Sequence, residues 1–192
     1  METSASLLDR LAAAPVDADW RRLFDLYAPL LGTWLLRAGV PEHDRDDLSQ
    51  DVLLVVIREV AEFDRRRSGA FRAWLGKILS NRVSNYFRDR ASRAVATGGS
   101  AGRYQLEELI DPESPLSRLW DREHDEHVAA RAMERVRVDF TPGTWEAFIR
   151  QSFGGQSARE VAAALGITWN AALMAKSRVL ARVRTELAGL VG

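Results

Sequence analysis

The sequence predicts an all-α protein made of two small helical domains joined by a linker. Apolar residues recur at spacings of three and four almost throughout the chain, and no alternating, β-branched run bounded by turn signals predicts a strand. Residues 94–126 interrupt this helical period, because a small, Gly-rich stretch there precedes an acidic stretch containing Pro112 and Pro115. With 192 residues, each half can bury a modest core. We expect domains at residues 1–93 and 127–192, and a linker at 94–126 that starts flexible and becomes helical near Ser117.

The first two predicted helices occupy residues 20–38 and 44–63. A broad apolar stripe marks the first helix, which Gly39 can cap and which Pro41 prevents from continuing. The second helix begins with acidic residues that complement the positive end of the helix dipole, and this effect alone is one explanation of the acidic cluster. The inner face of the second helix would be a single apolar stripe: Leu48, Val52, Val55, Val56 and Val60.

Charge is distributed unevenly from the second helix onwards, although the chain as a whole has no net charge. Residues 42–51 hold five Asp or Glu against Arg45, whereas residues 65–93 hold nine Lys or Arg against Asp89. Basic side chains bind phosphates by displacing counterions, and aromatic side chains among them can stack on unpaired bases. We interpret the acidic stretch as a surface for a basic partner and the basic stretch as a surface for single-stranded or melted DNA.

A charged loop at residues 64–70, ending in Ser-Gly, precedes a third predicted helix at residues 71–90. Apolar residues would face inward from this helix, and basic residues would face solvent or a ligand: Trp74, Leu75, Ile78, Leu79 and Val83 against Arg72, Lys77, Arg82 and Arg88. Phe71 and Trp74 are three residues apart, which suits a buried stripe as well as base stacking. The aromatic residues alone therefore leave both interpretations open.

The carboxyl-terminal half predicts a helix-turn-helix motif. Thr141 followed by Pro142 is typical of a helix start. Two further helices are predicted at residues 157–165 and 169–190, separated by a short turn that contains Gly166. A small residue at Ala162, a glycine in the turn and a capping Thr168 are what this motif requires before its recognition helix.

Several motifs in a fixed order resemble a known family. Three motifs and their order resemble region two of bacterial RNA polymerase sigma factors of the extracytoplasmic-function group. They are residues 46–52, the pair Phe63-Asp64 and residues 71–82. Three segments are similar to region four of these factors. They are residues 140–145, residues 155–157 just before the helix-turn-helix motif, and the turn at residues 162–168. The resemblance implies a region-two helical bundle and a region-four helix-turn-helix, and it implies neither a catalytic role nor a cofactor.

The resemblance also implies partners and site residues. One surface on the second helix would dock to the clamp helices of the largest subunit of core RNA polymerase: Asp47, Leu48, Gln50, Asp51 and Leu54. The loop at 64–70 would capture a flipped base of the minus-ten element, the third helix would face the promoter strand, and the recognition helix would enter the major groove at the minus-35 element. The expected DNA-binding residues are Arg65, Arg66, Ser68, Arg72, Lys77, Asn81, Arg82, Asn85, Arg88, Thr168, Asn170, Lys176 and Arg178. Members of the group are commonly held inactive by an anti-sigma protein, which is a further expected partner.

The recognition helix departs from the family pattern. Relatives usually place basic residues in its first turns, from which base contacts normally come, whereas residues 169–175 contain no Lys or Arg. Asn170 is a candidate adenine reader, and Lys176 and Arg178 are candidate phosphate contacts. The apolar residues of these turns would otherwise pack on another surface: Trp169, Leu173 and Met174.

Composition narrows the class of protein. The chain has no cysteine for a disulfide or thiolate chemistry, and its three histidines form no metal-ligand pattern. Residues 1–15 do not read as a signal peptide, and no apolar run approaches the length of a membrane span. We therefore expect a soluble, cytoplasmic protein that does not insert into membranes.

Two other classes remain open at this stage. A transcriptional regulator acting without core polymerase would use the helix-turn-helix as a dimer on a palindromic site, which leaves the acidic helix unexplained. A metal-dependent nuclease could use Asp44, Asp47 and Asp51, but no further acid, histidine or lysine is placed to complete its site. We expect no enzyme activity.

Overall fold

The computed structural model describes residues 6–63, 69–95 and 106–191, and all regular structure within them is helical. This confirms the all-α prediction for the described residues. The helices are α1 (Leu7–Ala13), α2 (Asp17–Arg37), α3 (Glu42–Glu59), α4 (Ala70–Val95), α5 (Pro115–Arg137), α6 (Pro142–Ser152), α7 (Ala158–Leu165) and α8 (Trp169–Leu187), with a 3₁₀ helix at Leu106–Ile110. None of the described helices combines the length and the hydropathy needed to cross a bilayer.

The chain divides into two compact units, an amino-terminal unit made mainly of Leu7–Val128 and a carboxyl-terminal unit made mainly of Ala129–Ala188, with the division inside α5. In the amino-terminal unit, α2, α3 and α4 form a bundle, which α1 joins by packing on α2. Its core is the buried stripe that the apolar period predicts on each helix, including Leu31 on α2, Val52 on α3 and Leu79 on α4. α1 lies outside the helices that the sequence predicts, because seven residues carry little periodic signal.

The acidic first half of α5 packs on the amino-terminal unit. Trp120 is buried, lies edge-on against Trp34 with ring centroids 5.2 Å apart, and donates from Nε1 to the carbonyl oxygen of Arg72 at 2.9 Å. Arg37 donates to Glu123, and a ring nitrogen of His127 donates to the carbonyl oxygen of Leu26. This part of the predicted linker is thus an ordered component of the unit.

The 3₁₀ helix belongs to the same unit, since the hydroxyl of Ser80 on α4 donates to the carbonyl oxygen of Leu106 at 2.8 Å. Most of the predicted flexible start of the linker, residues 96–105, lies outside the described residues. The boundary between units therefore falls near Val128 rather than in the Gly-rich stretch, because residues 106–128 contribute buried side chains to the amino-terminal core.

His124 is the buried titratable group of α5. It lies between Tyr27, whose hydroxyl is 3.3 Å from Nε2, and Asp125, whose carboxylate is 3.0 Å from Nδ1. Burial lowers the pKa of His124, and nearby Arg72 acts in the same direction, whereas Asp125 and Asp121 oppose the shift. The folded protein therefore holds this imidazole neutral at pH values where the unfolded chain, with a pKa of about 6.5, takes up a proton.

Acidification is expected to destabilise the amino-terminal unit through His124. Below about pH 6.5 the unfolded state binds more protons than the folded one, so the free energy of unfolding falls by at most about 1.4 kcal/mol per pH unit until the lowered pKa is reached. Urea unfolding of His124→Gln between neutral and mildly acidic pH should give a smaller slope than the unaltered chain. His43→Gln is the matched control, since the His43 side chain is 73% exposed; equal slopes for both variants would contradict the assignment.

In the carboxyl-terminal unit, α6, α7 and α8 pack around small residues: Ala147, Val161, Ala162, Ala172 and Ala175. Gly166 ends α7 in the left-handed conformation with φ of 65°, which a residue with a Cβ rarely adopts. Caps fix the three helix starts, because the hydroxyls of Thr141, Ser157 and Thr168 each accept from a backbone N–H three residues later. The predicted helix-turn-helix geometry is therefore present.

Candidate nucleic-acid interface

One face of α3 is exposed and carries two carboxylates. Asp47, Gln50, Asp51 and Leu54 are all exposed, and the steps from Asp47 to Asp51 and from Gln50 to Leu54 are each four residues, about one helical turn. We call these four residues the acidic α3 face. Leu48, which the resemblance assigns to the same docking surface, is only 6% exposed and lies in the core with Val52.

Sequence reasoning did not include Ile57 in this surface. It is 37% exposed one turn beyond Leu54, which is itself 44% exposed. The signal that could have indicated Ile57 is its spacing of three from Leu54, off the inner stripe of α3. Together with Leu54, Ile57 would add apolar contact area to a surface whose other three side chains are polar.

Asp44 is engaged within the amino-terminal unit rather than in the acidic α3 face. The hydroxyl of Tyr86 on α4 donates to its carboxylate at 2.6 Å, and Arg90 donates to the same oxygen at 3.3 Å. This joins α3 to α4 and occupies one member of the carboxylate trio considered for a nuclease. Within the ranges that the structure covers, no group of three or more His, Cys, Asp or Glu is arranged to hold a metal ion.

The outward side of α4 is polar and basic. Lys77, Asn81, Asn85 and Arg88 recur at steps of four, four and three, so they follow one line along the helix, with Arg82 half-buried beside them. We call these five residues the α4 polar face. Arg88 donates to the side-chain oxygen of Asn85, which orients both groups. The three predicted contacts of the preceding loop, Arg65, Arg66 and Ser68, lie outside the described residues.

Arg72 is separated from the α4 polar face by its ion pairs. Its guanidinium contacts Asp125 at 2.6 Å and Asp121 at 3.0 Å, both on α5, and its side chain is 20% exposed. Because two carboxylates already neutralise the guanidinium charge, Arg72 would attract a phosphate only weakly. The predicted role of Arg72 in DNA binding therefore has no support from its surroundings.

The aromatic residues of α4 contact mainly one another and the core. Phe71 is buried against Tyr27, with ring centroids 5.5 Å apart. Trp74 is half-buried and stacks on Phe63, with centroids 4.5 Å apart and planes 17° apart. One face of the Trp74 ring is thus occupied inside the protein, and Phe71 is a core residue.

The recognition helix α8 exposes an apolar beginning. Trp169 is 55% exposed, Met174 46% and Leu173 39%, and Asn170 beside them is exposed as well. The opposite side of the helix is buried through Ala172 and Ala175. Among the remaining predicted contacts, Thr168 uses its hydroxyl to cap α8, Lys176 is half-buried and Arg178 is exposed.

Comparison with known proteins gives a consistent set of similarities. The family model described as Sigma-70 region 2 matches residues 23–93, which contain the acidic α3 face and the α4 polar face. The chain is 30% identical over 192 residues to RNA polymerase sigma factor CnrH of Cupriavidus metallidurans, covering 95% of this chain and 94% of that protein. It is 31% identical over 153 residues to RNA polymerase sigma factor NccH of Alcaligenes xylosoxydans xylosoxydans, covering 80% of this chain and 76% of that one.

Proposed function

This chain belongs to the RNA polymerase sigma factors, in their extracytoplasmic-function group, and we propose that it binds core polymerase through the acidic α3 face and the promoter through the α4 polar face and α8. The observation that carries the proposal is the separation of charge within residues 23–93. Carboxylates are exposed on α3, and amide and basic groups are exposed in line on α4. A protein that joins a basic partner to DNA needs two such surfaces on one rigid unit.

The α4 polar face suits a melted minus-ten strand. Its charged groups can follow a phosphate backbone, while Asn81 and Asn85 offer amide groups that can donate to and accept from base edges. The loop residues Arg65, Arg66 and Ser68 are proposed to complete this surface. Core polymerase and promoter DNA are the proposed partners, the cytoplasm is the proposed location, and an anti-sigma protein is proposed on the family resemblance alone.

The test is transcription in vitro from a genomic promoter library with core polymerase from the source organism, with and without this protein. We expect protein-dependent start sites that share upstream sequence elements. Measurable core binding without any transcripts would remove promoter recognition from the proposal, and no core binding would overturn it altogether. Binding to a palindromic site as a dimer, without core polymerase, would instead favour a helix-turn-helix regulator.

Arg82→Ala is expected to weaken holoenzyme binding to the melted minus-ten strand and to lower its salt dependence. Losing one phosphate contact on a single strand reduces the slope of log affinity against log salt by about 0.7. The measurement is a salt titration of affinity for a single-stranded minus-ten oligonucleotide. Arg118→Ala removes the same charge from α5, where the Arg118 side chain is 66% exposed, and it should leave the slope unchanged. An equal slope for both variants and the unaltered chain would show that Arg82 makes no phosphate contact.

A further inference from the structure

The first two turns of α8, from which a helix-turn-helix protein normally reads bases, present apolar side chains. Trp169, Leu173 and Met174 are between 39% and 55% exposed, and they point away from the side of α8 that packs on α6 and α7. The motif itself is intact, with Gly166 in the turn and Thr168 capping the helix. The apolar surface is therefore not explained by the packing of the carboxyl-terminal unit.

The surroundings of this apolar surface suit a polyanion. Between residues 129 and 188 there are nine Lys or Arg against five Asp or Glu. Each of the five acids is engaged within the unit: Glu134 with Arg131, Asp139 with Arg182, Glu146 with Arg150, Glu186 with Arg135 and Arg182, and Glu160 with the backbone N–H of Ser157. In the part of the chain that the structure describes, Arg159, Lys176 and Arg178 form no ion pair, and all three lie on or beside the motif. This excess of unpaired positive charge favours binding to duplex DNA, which is a polyanion, over binding to a protein surface with few acidic residues.

The side chains at the reading positions restrict which bases they can recognise. Guanine is usually read by Arg or Lys through O6 and N7, and residues 169–175 contain neither. Asn170 can pair with N6 and N7 of adenine, and an apolar side chain can contact the C5-methyl group of thymine. The chemistry of this helix therefore matches A·T base pairs.

We propose that α8 reads thymine methyl groups in the upstream promoter element through Leu173 and Met174, with Asn170 on an adenine. This inference rests on the proposed function and adds the base preference of the same surface. Each buried methyl contact should contribute about three- to fivefold to affinity. The upstream element should accordingly contain A·T pairs opposite the first two turns of α8.

The test uses holoenzyme made from the full chain and core polymerase, and the upstream element found in the transcription experiment. Synthetic promoter duplexes carry either thymine or deoxyuridine at the T positions of that element only. Uracil pairs like thymine but lacks the methyl group, so the ratio of the two affinities measures methyl contacts. We expect the thymine duplex to bind about three- to fivefold more tightly for each methyl group contacted.

Leu173→Ala and Met174→Ala should each bring this ratio closer to one. Val138→Ala is the matched control, because Val138 is an apolar residue of the same unit, 83% exposed and outside the motif; it should keep the full ratio. A ratio of one for the unaltered chain, or a ratio that neither variant changes, overturns the inference while protein-dependent start sites still support the proposed function. The ratio would also be one if the apolar surface binds another protein instead of DNA. Absence of both start sites and core binding overturns the inference together with the proposed function.

Discussion

Asp47→Arg with Asp51→Arg is expected to weaken binding to core RNA polymerase by about a hundredfold. Both carboxylates are exposed on one side of α3, four residues apart, and the proposed docking surface on the polymerase is basic. Reversing both charges replaces two attractions by two repulsions. Like charges juxtaposed at an interface cost several kcal/mol of binding free energy. Each loss of about 1.4 kcal/mol lowers the affinity tenfold. Equilibrium binding of labelled protein to core polymerase at fixed, moderate salt measures the effect.

The control for this charge reversal is Glu113→Arg with Glu126→Arg. Both control residues are exposed in the amino-terminal unit, and the change in net charge is the same. The control should lose little affinity, because its charges lie outside the acidic α3 face. If both double variants weakened binding equally, the cause would be overall charge, and the assignment of the acidic α3 face would fail. Affinity of the reversed variant for the single-stranded minus-ten oligonucleotide should change much less than its affinity for core polymerase.

Trp120→Ala is expected to lower the free energy of unfolding of the amino-terminal unit by about 3 to 5 kcal/mol. The side chain is 1% exposed, its ring packs edge-on against Trp34, and its N–H satisfies the carbonyl oxygen of Arg72. Alanine would leave a cavity and remove this hydrogen bond together. Because a domain of this size is stable by only about 5 to 15 kcal/mol, the loss is a large fraction of the total.

Urea unfolding followed by far-ultraviolet circular dichroism measures this loss. Phe24→Ala is the matched control, since Phe24 is an aromatic residue of the same unit that is 43% exposed. It should change the free energy of unfolding by roughly 0.5 kcal/mol or less. A comparable small change in Trp120→Ala would show that α5 does not contribute to the stability of the unit.

The helices could be predicted where local pattern determines them. α2, α3 and α4 follow apolar stripes, and α6 to α8 begin at capping residues whose hydrogen bonds the structure contains. The first half of α5 was predicted to be part of a linker, because it is acidic and has two prolines at or near its start. Its acids instead pair with Arg37 and Arg72, which lie 86 and 53 residues away from their partners along the chain. No local pattern carries such information.

The candidate site shows the same division between local and distant determinants. Helical spacing alone is enough to place Asp47, Asp51 and Leu54 on one exposed face. Leu48 belongs to the inner stripe by the same spacing, and only the family motif attached it to the docking surface. Arg72 was predicted to face solvent or a ligand, but the two carboxylates that pair with it come from α5, about 50 residues further along the chain.

The contacts of α5 also set an order of events during protein synthesis. Tyr27 meets His124 across 97 residues, and the carbonyl of Leu26 meets His127 across 101. At about 5 to 20 residues per second, a ribosome needs roughly 5 to 20 seconds to supply these partners after α2 has been made. During that interval the nascent bundle exposes the surface of Trp34 that Trp120 later covers. A sigma factor made this way cannot complete the core of its amino-terminal unit before about two-thirds of the chain has been translated.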